Sequence, residues 1–362
     1  MPSSSCQYED HLLTTSDRDY FIATAAIYVP CFFYSWIRTL AQYGFRQKAR
    51  IFVEENDIIR VVIRAKFHWS PGSHCFLRFP GIGQVFTSHP FTICSLPQTS
   101  SPGEEQELVF YIRCRAGFTA KLYRMALEKP GSEVSVMIDG PYGGIHNKTL
   151  VDYDNILIIA GGSGAGWTLP FIEQFARYRE SLASSTLNMN EKDITTSPMS
   201  NTGPSCMRVV VATREPTTPT WYKNCTDRIW ARHTSVDASS KVSVEFYTTG
   251  AAAEEQHYST TGSTSVAGST SSSSQMQGKG DVPLVSVGAR DATLLDRPDL
   301  PSIIREEATR TLSEGKSLEV FLCGPATMQD DVRNTVAEVN LGMLKGGKAG
   351  SVYLHQEHFS WA

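Results

Sequence analysis

Across its 362 residues the sequence has no C-x-x-C pair, no zinc-like spacing of cysteine and histidine, no internal repeat and no excess of positive charge. Each absence removes a class of function. With 33 Lys+Arg against 37 Asp+Glu, a formal net charge of -4 gives no electrostatic footprint for nucleic-acid phosphates, so nucleic acid is set aside as a partner. The cysteines at 6, 31, 75, 94, 114, 206, 225 and 323 are scattered, which suits a reducing cytosol better than a disulfide framework or a structural metal. The N-x-[S/T] triplets at Asn147 and Asn224 would matter only in lumen-facing segments and are read as chance matches. Histidine is missing from the one long apolar run: all nine histidines lie outside Tyr20 to Ile37.

That run, residues 20–37, also carries no charged side chain and approaches the roughly 20 residues that a helix needs to cross a bilayer. It is read as a transmembrane helix preceded by an N-terminal tail, 1–19, with a buried core helix as the alternative, since the run is at the short end of the spanning range. Asp17, Arg18 and Asp19 flank one end and Arg38, Arg46, Lys48 and Arg50 the other, which puts the C-terminal side in the cytosol. A cleaved signal peptide would carry its positive charge ahead of the apolar run. Tyr20, Tyr34 and Trp36 suit interfacial belts, and Pro30 is tolerated better in a membrane helix than in a soluble one.

Residues 46–145 alternate short apolar runs with Pro/Gly/Ser turns, the pattern of a compact antiparallel β-barrel. From 151 to 362 buried strands such as NILIIAGG and SLEVFLCGP alternate with helical segments, which predicts a parallel α/β, Rossmann-like domain. Two polar stretches interrupt it, near 181–204 and 251–281. Both are too poor in apolar residues to offset the entropy of ordering and are expected to be disordered inserts.

Within the α/β half, Gly161, Gly162, Gly164 and Gly166 sit between a predicted strand and a predicted helix, where glycine lets backbone amides approach a pyrophosphate. A tight turn without ligand would give the same pattern. The next strand ends in Thr213 and Arg214 rather than in the acidic residue typical of NAD sites, so it favours the 2′-phosphate of NADPH unless Arg214 is simply solvated. Cys323, Gly324 and Pro325 close a later strand at its carboxyl end. There Cys323 is either beside a nicotinamide or a buried structural thiol.

In the barrel half, His89, Pro90, Phe91 and Thr92 offer an imidazole donor, an aromatic face and a hydroxyl suited to a flat hydrogen-bonding ring with a phosphate tail, although a strand turn with a satisfied histidine fits too. Arg113, Gly117 and Thr119 lead into a second predicted helix whose N-terminus suits a pyrophosphate.

The ordered set HPFT, GFT, GPYGG, GGSGAG, a strand ending in arginine, and CGP resembles the ferredoxin-NADP reductase superfamily. Within it the chain is similar to fungal ferric- or cupric-chelate reductases and their NADPH-oxidase relatives; HPFTICSLP, GPYGG and YLHQEHFSW are the most specific pieces. The resemblance implies FAD bound through His89, Pro90, Phe91, Thr92, Arg113, Gly117 and Thr119. It implies NADPH bound through Gly161, Gly162, Gly164, Gly166, Arg214, Cys323, Gly324 and Pro325. It makes Phe359, ahead of Trp361, the aromatic that covers the flavin face, with Cys323 and Thr92 at the reacting rings. The implied enzyme is an NADPH-dependent FAD oxidoreductase at a membrane, most simply the plasma membrane, with cytosolic cofactor domains and with Fe(III) or Cu(II) chelates as acceptors.

Relatives hold haem between membrane helices through paired histidines, and this sequence has no such pair. A truncated product, a separate haem-bearing membrane partner, and a cytosolic acceptor all remain open. Superoxide-type oxidase and diaphorase-like activities are the enzymatic alternatives, and a catalytically silent membrane scaffold is the non-enzymatic one.

Overall fold

The structure is a computed structural model that describes residues 6–43, 47–82, 84–98, 103–145, 152–188, 203–233, 241–249, 292–294, 297–346 and 350–357. Helix α1 (Cys6–Tyr43) contains the apolar run and extends well beyond it on the N-terminal side, with Pro30 inside it. Its stretch Arg18–Arg38 is long and apolar enough to cross a membrane and is 0% buried within the chain. Tyr20, Phe21, Ile27, Tyr28, Phe33 and Tyr34 are all exposed on it. The polar residues 6–19 carry no apolar signal of their own, which is why sequence reading treats them as a tail.

The first domain consists of two antiparallel sheets around one core. Strands β1 (Lys48–Glu54), β2 (Ile58–Ala65), β5 (Gln106–Arg113) and β6 (Glu133–Ser135) form one sheet, and β3 (Ser73–Phe79), β4 (Gln84–Thr92) and β7 (Met137–Gly143) form the other. Alternation decides which side chains enter. Ile51, Ile59, Val61, Ile63, Cys75, Leu77, Phe110 and Ile112 are core, while intervening residues such as Arg60, Arg64 and His74 point away from it. Helix α2 (Phe118–Glu128) closes one end of the core with Phe118, Leu122 and Ala126. Helix α1 packs on the outer face of the three-stranded sheet. There Arg38 Nη2 donates to Tyr142 Oη at 2.7 Å and to Asp139 Oδ1 at 3.3 Å.

The second domain is a six-stranded parallel sheet in the order β11-β10-β9-β8-β12-β13. Its strands are β8 (Asn155–Gly161), β9 (Cys206–Thr213), β10 (Val242–Thr248), β11 (Ala292–Leu294), β12 (Leu318–Cys323) and β13 (Val352–Glu357). Strand β8 is buried on both faces, as a central parallel strand must be: Ile156, Ile158 and Ala160 enter one core, Leu157 and Ile159 the other. Helices α3 (Ala165–Asn188) and α4 (Thr218–Trp230) cover the first face. Helices α5 (Leu300–Ser313) and α6 (Ala326–Gly346) cover the second. Helix α3 runs through 181–188, so the start of the first expected insert is helical. The rest of that insert up to 202, and the second at 251–281, lie outside the described residues.

Candidate cofactor cleft

The site follows from the strand order. Strand β8 continues to β9, β10 and β11 on one side, whereas β12 and β13 lie on the other, so the order reverses between β8 and β12. Loops leaving the carboxyl ends of two such strands diverge to opposite faces and open a crevice for ligands. The loop after β8 is Gly161 to Gly164 and the loop after β12 begins at Cys323, so both glycine-rich motifs meet at this point.

The glycines there have separate causes. Gly162 has φ +57, in the left-handed region, with open space where a side chain would stand. Gly164 is required by close approach: a Cβ would lie 2.7 Å from Cys323 Sγ and 3.0 Å from the Cys323 carbonyl oxygen. At Gly166 the neighbour is Cys94 Sγ, 3.2 Å from where a Cβ would be. Cys94 follows Thr92 by two residues, so the chain just past the HPFT strand of the first domain lies against the first turn of α3, directly after the glycine loop of the second. Helix α6 starts after Pro325, and Gln329 Nε2 fixes the loop ahead of it by donating to the Gly324 carbonyl at 2.7 Å.

Strand β4 presents its motif on two faces. The register pairs His89 with Leu77 and Phe91 with Cys75, both core positions, and pairs Pro90 with Phe76 and Thr92 with His74 on the outer face. Any ring held by this segment therefore meets side chains from alternate positions, with both sets available only at the strand end. The His89 ring stacks on Phe118 at 4.8 Å and 5°, and its Nε2 is enclosed with no hydrogen-bond partner. Burial pushes the imidazole pKa down, so His89 acts as a neutral hydrogen-bonding group rather than a cation.

Helix α2 begins after Gly117 (φ +66) with no side-chain cap. Thr119 is engaged locally: its Oγ1 accepts the Arg115 N–H at 2.9 Å and donates to the Ala116 carbonyl at 3.3 Å, which holds the turn that presents the helix N-terminus. An orphaned imidazole nitrogen beside an uncapped helix N-terminus with open space at Gly117 fits a ligand with a ring and phosphates.

Other sequence candidates are placed differently from one another. Arg214 is exposed at the end of β9 and forms no ion pair among the described residues. The acidic residue beside it, Glu215, is paired with Arg113 of the first domain. Cys323 is fully buried, and burial, followed by the charges of Glu357 and Cys94, pushes its thiol far up; it supports the loop as packing, not as a thiolate. Phe359 and Trp361 lie outside the described residues. A groove of about 640 Å³ on the first domain is lined by Lys48, Arg50, Arg64 and Lys66, and none of the motif residues reaches it.

Sequence reading missed what sets the domains against each other. The loop between β1 and β2 carries Asn56 and Asp57 at positive φ and reaches helix α4. Thr217 Oγ1 donates to Asn56 Oδ1 at 2.7 Å, and Asn56 Nδ2 donates to Thr218 Oγ1 at 3.1 Å. Glu54 accepts from Arg228 at 2.5 and 3.1 Å and from Arg60 at 2.6 Å. Burial alone would raise the Glu54 carboxyl, but the hydrogen bonds from Arg228 and Arg60 outweigh it and hold the group below its usual range.

Comparison with known proteins agrees with this architecture. A family model described as an FAD-binding domain matches residues 43–146, and one described as a ferric reductase NAD binding domain matches 153–337. Among curated relatives, ferric/cupric reductase transmembrane component 7 of Saccharomyces cerevisiae is 31% identical over 43% of this chain and 24% of its own length. Component 6 from the same yeast is 24% identical over 79% of this chain and 34% of its own length. A protein of Aspergillus oryzae named as a probable cell surface ferric reductase is 29% identical over 57% of this chain and 26% of its own length. The chain thus spans about a quarter to a third of the length of these relatives.

Proposed function

Because the chain belongs to the ferric reductase NAD-binding family and carries an FAD-binding domain ahead of that half, we propose that it is a membrane-attached flavoprotein reductase that uses NADPH and serves the reduction of chelated Fe(III) or Cu(II). One observation carries the reading. The HPFT strand, the Gly161–Gly164 loop and the Cys323–Pro325 loop converge on one crevice, with Cys94 against Gly166 and Cys323 against Gly164. A flavin held at the first and a nicotinamide held at the other two are then neighbours.

FAD, when bound, would supply the redox chemistry, acceptance of a hydride and release of single electrons. The chain's own residues bind and align. His89 offers its unpartnered nitrogen, Phe91 an aromatic face and Thr92 a hydroxyl at the strand end, while the helix N-terminus after Gly117 faces phosphate charge. Gly162 lets the NADPH pyrophosphate lie against the backbone before α3, and Gly324 and Pro325 shape the nicotinamide end. Phe359 is the aromatic assigned to cover the flavin until nicotinamide arrives. No side chain is required as acid or nucleophile.

Arg214 is assigned to the 2′-phosphate, because the neighbouring carboxylate of Glu215, which would repel that phosphate, is tied up by Arg113. Replacement of Arg214 by alanine is expected to lower the NADPH-over-NADH ratio of kcat/KM by roughly tenfold or more, the equivalent of about 1.4 kcal/mol of lost phosphate contact. An unchanged ratio would place the 2′-phosphate elsewhere.

The relatives' names and helix α1 support a transmembrane setting, and the basic residues after the helix favour cytosolic cofactor domains at the plasma membrane. Haem in a membrane partner would carry electrons onward. The direct test is the full chain in detergent, reconstituted with FAD: it should be yellow, bleach on anaerobic addition of NADPH, and reduce Fe(III) chelate when supplied with a haem-bearing partner. A chain that takes up no flavin sinks the proposal, and one that bleaches but passes electrons only to dyes sinks the metal-chelate part.

A further inference from the structure

Arg78, on β3, is 8% exposed, and its Nε and Nη1 are enclosed with no hydrogen-bond partner among the described residues. Asp139 shares its face of the sheet, since the register pairs Phe76 with Asp139 and Arg78 with Met137. Asp139 is already engaged by Arg38 and by the Tyr142 hydroxyl at 2.6 Å. Two guanidinium nitrogens enclosed without acceptors are unfavourable unless an anion supplies them.

The surroundings indicate which anion. The Trp36 ring of helix α1 lies over the Arg78 guanidinium at 5.6 Å from its centroid, and Trp36 stands two residues before the end of the membrane-length stretch Arg18–Arg38. Tryptophan at such an end sits at headgroup depth. Arg38, two residues further, is bonded to the same sheet. The anions available at that depth are the phosphodiesters of phospholipids, whose oxygens match guanidinium donors.

We propose that Arg78 binds the phosphate of a phospholipid headgroup beside Trp36, so that a membrane lipid supplies the acceptors the chain does not and holds the FAD-binding domain against the bilayer surface. The inference rests on the membrane reading of α1 made above.

The test compares the full chain with Arg78→Met, each first in phosphate-free maltoside detergent and then in phosphatidylcholine nanodiscs. In detergent the variant should melt above the native chain, because an unpaired charge has been removed. In nanodiscs the order should reverse, and amides of β3 and β7 should gain protection from hydrogen exchange only in the native chain. Equal gains in both chains would overturn the proposal. So would an equal gain from inorganic phosphate added in detergent, since that assigns the site to free phosphate.

Both chains should float with liposomes. If they float yet gain equally, this inference alone fails; if neither floats, the membrane reading fails with it. Should Arg78→Met not fold, Arg78→Lys keeps the charge without the planar fork, and phospholipid retained after delipidation is counted by native mass spectrometry. Retention by the native chain and loss in the lysine variant is expected, and equal retention in both overturns the assignment.

Discussion

Replacing Glu319 by glutamine is expected to flatten the pH dependence of stability between about pH 5 and about pH 8, and to raise the melting temperature at the alkaline end by several degrees. Glu319 stands on β12 at 0% exposure, and neither carboxylate oxygen has a hydrogen-bond partner among the described residues. Burial, reinforced by the charge of Asp152, pushes its pKa up to about 8. Two of its neighbours are tyrosines: Tyr153 and Tyr353 stack at 5.7 Å, and the Tyr153 hydroxyl is itself pushed up by burial and by Glu319. In the unfolded chain the same carboxyl ionises near its ordinary value of about 4.3.

Between those two values the folded chain binds more protons than the unfolded one, so stability falls as pH rises, by at most about 1.4 kcal/mol per pH unit. Below the window the contribution is flat. A neutral amide of the same shape has no proton to lose, so thermal melts of Glu319→Gln and the native chain should converge at the acid end and separate at the alkaline end. Parallel curves would show that Glu319 is hydrated or paired in the folded protein.

The second large effect is expected at Glu54, which belongs to none of the cofactor motifs. Its carboxylate joins Arg60 of its own sheet to Arg228 of helix α4, so it takes part in an ion pair between the domains. Removing an acceptor of charge-assisted bonds from two arginines costs about 2 to 3 kcal/mol. Part of that loss falls on the fixed relation of the two domains. Glu54→Ala is expected to bind FAD and NADPH with near-native affinity but to reduce flavin about tenfold more slowly in single turnover, since small misplacement of reacting rings carries a large kinetic cost. Arg228→Ala should behave alike, and the double variant should be no worse than either single one, because the three describe one interaction. A native rate in Glu54→Ala would mean that the remaining contacts of Asn56 and Arg113 suffice to align the domains.

What the sequence disclosed and what it hid divide along physical lines. GGSGAG and NILIIAGG were legible because a fully apolar strand, a glycine turn and a helix follow one another in a few residues, and local backbone rules govern all three. HPFT was legible as a segment, but the alternation that splits His89 and Phe91 from Pro90 and Thr92 depends on register against β3, which no local pattern states. Helix α4 was passed over although Pro219 lies in its first turn and Trp221, Tyr222, Cys225 and Ile229 form a helical stripe. Its polar remainder masked the period. The Glu54–Arg228 and Arg113–Glu215 pairs join residues more than 100 positions apart, and nothing in either neighbourhood distinguishes them from solvated surface charges. Arg78 and Glu319 were invisible for the opposite reason, since a charged residue inside a strand is expected to face water.

The bonds from Arg38 to Tyr142 and Asp139 have a consequence for electron flow. They join the C-terminal part of the apolar helix to the three-stranded sheet of the FAD-binding domain at two points, Tyr142 and Asp139. On the membrane-attached reading proposed above, a flavin domain joined to the helix at these points would stand at one height above the lipid surface, and because tunnelling falls off exponentially with separation it would pass electrons to a membrane acceptor at a narrow range of rates. A swinging donor would deliver them over a broad spread of rates.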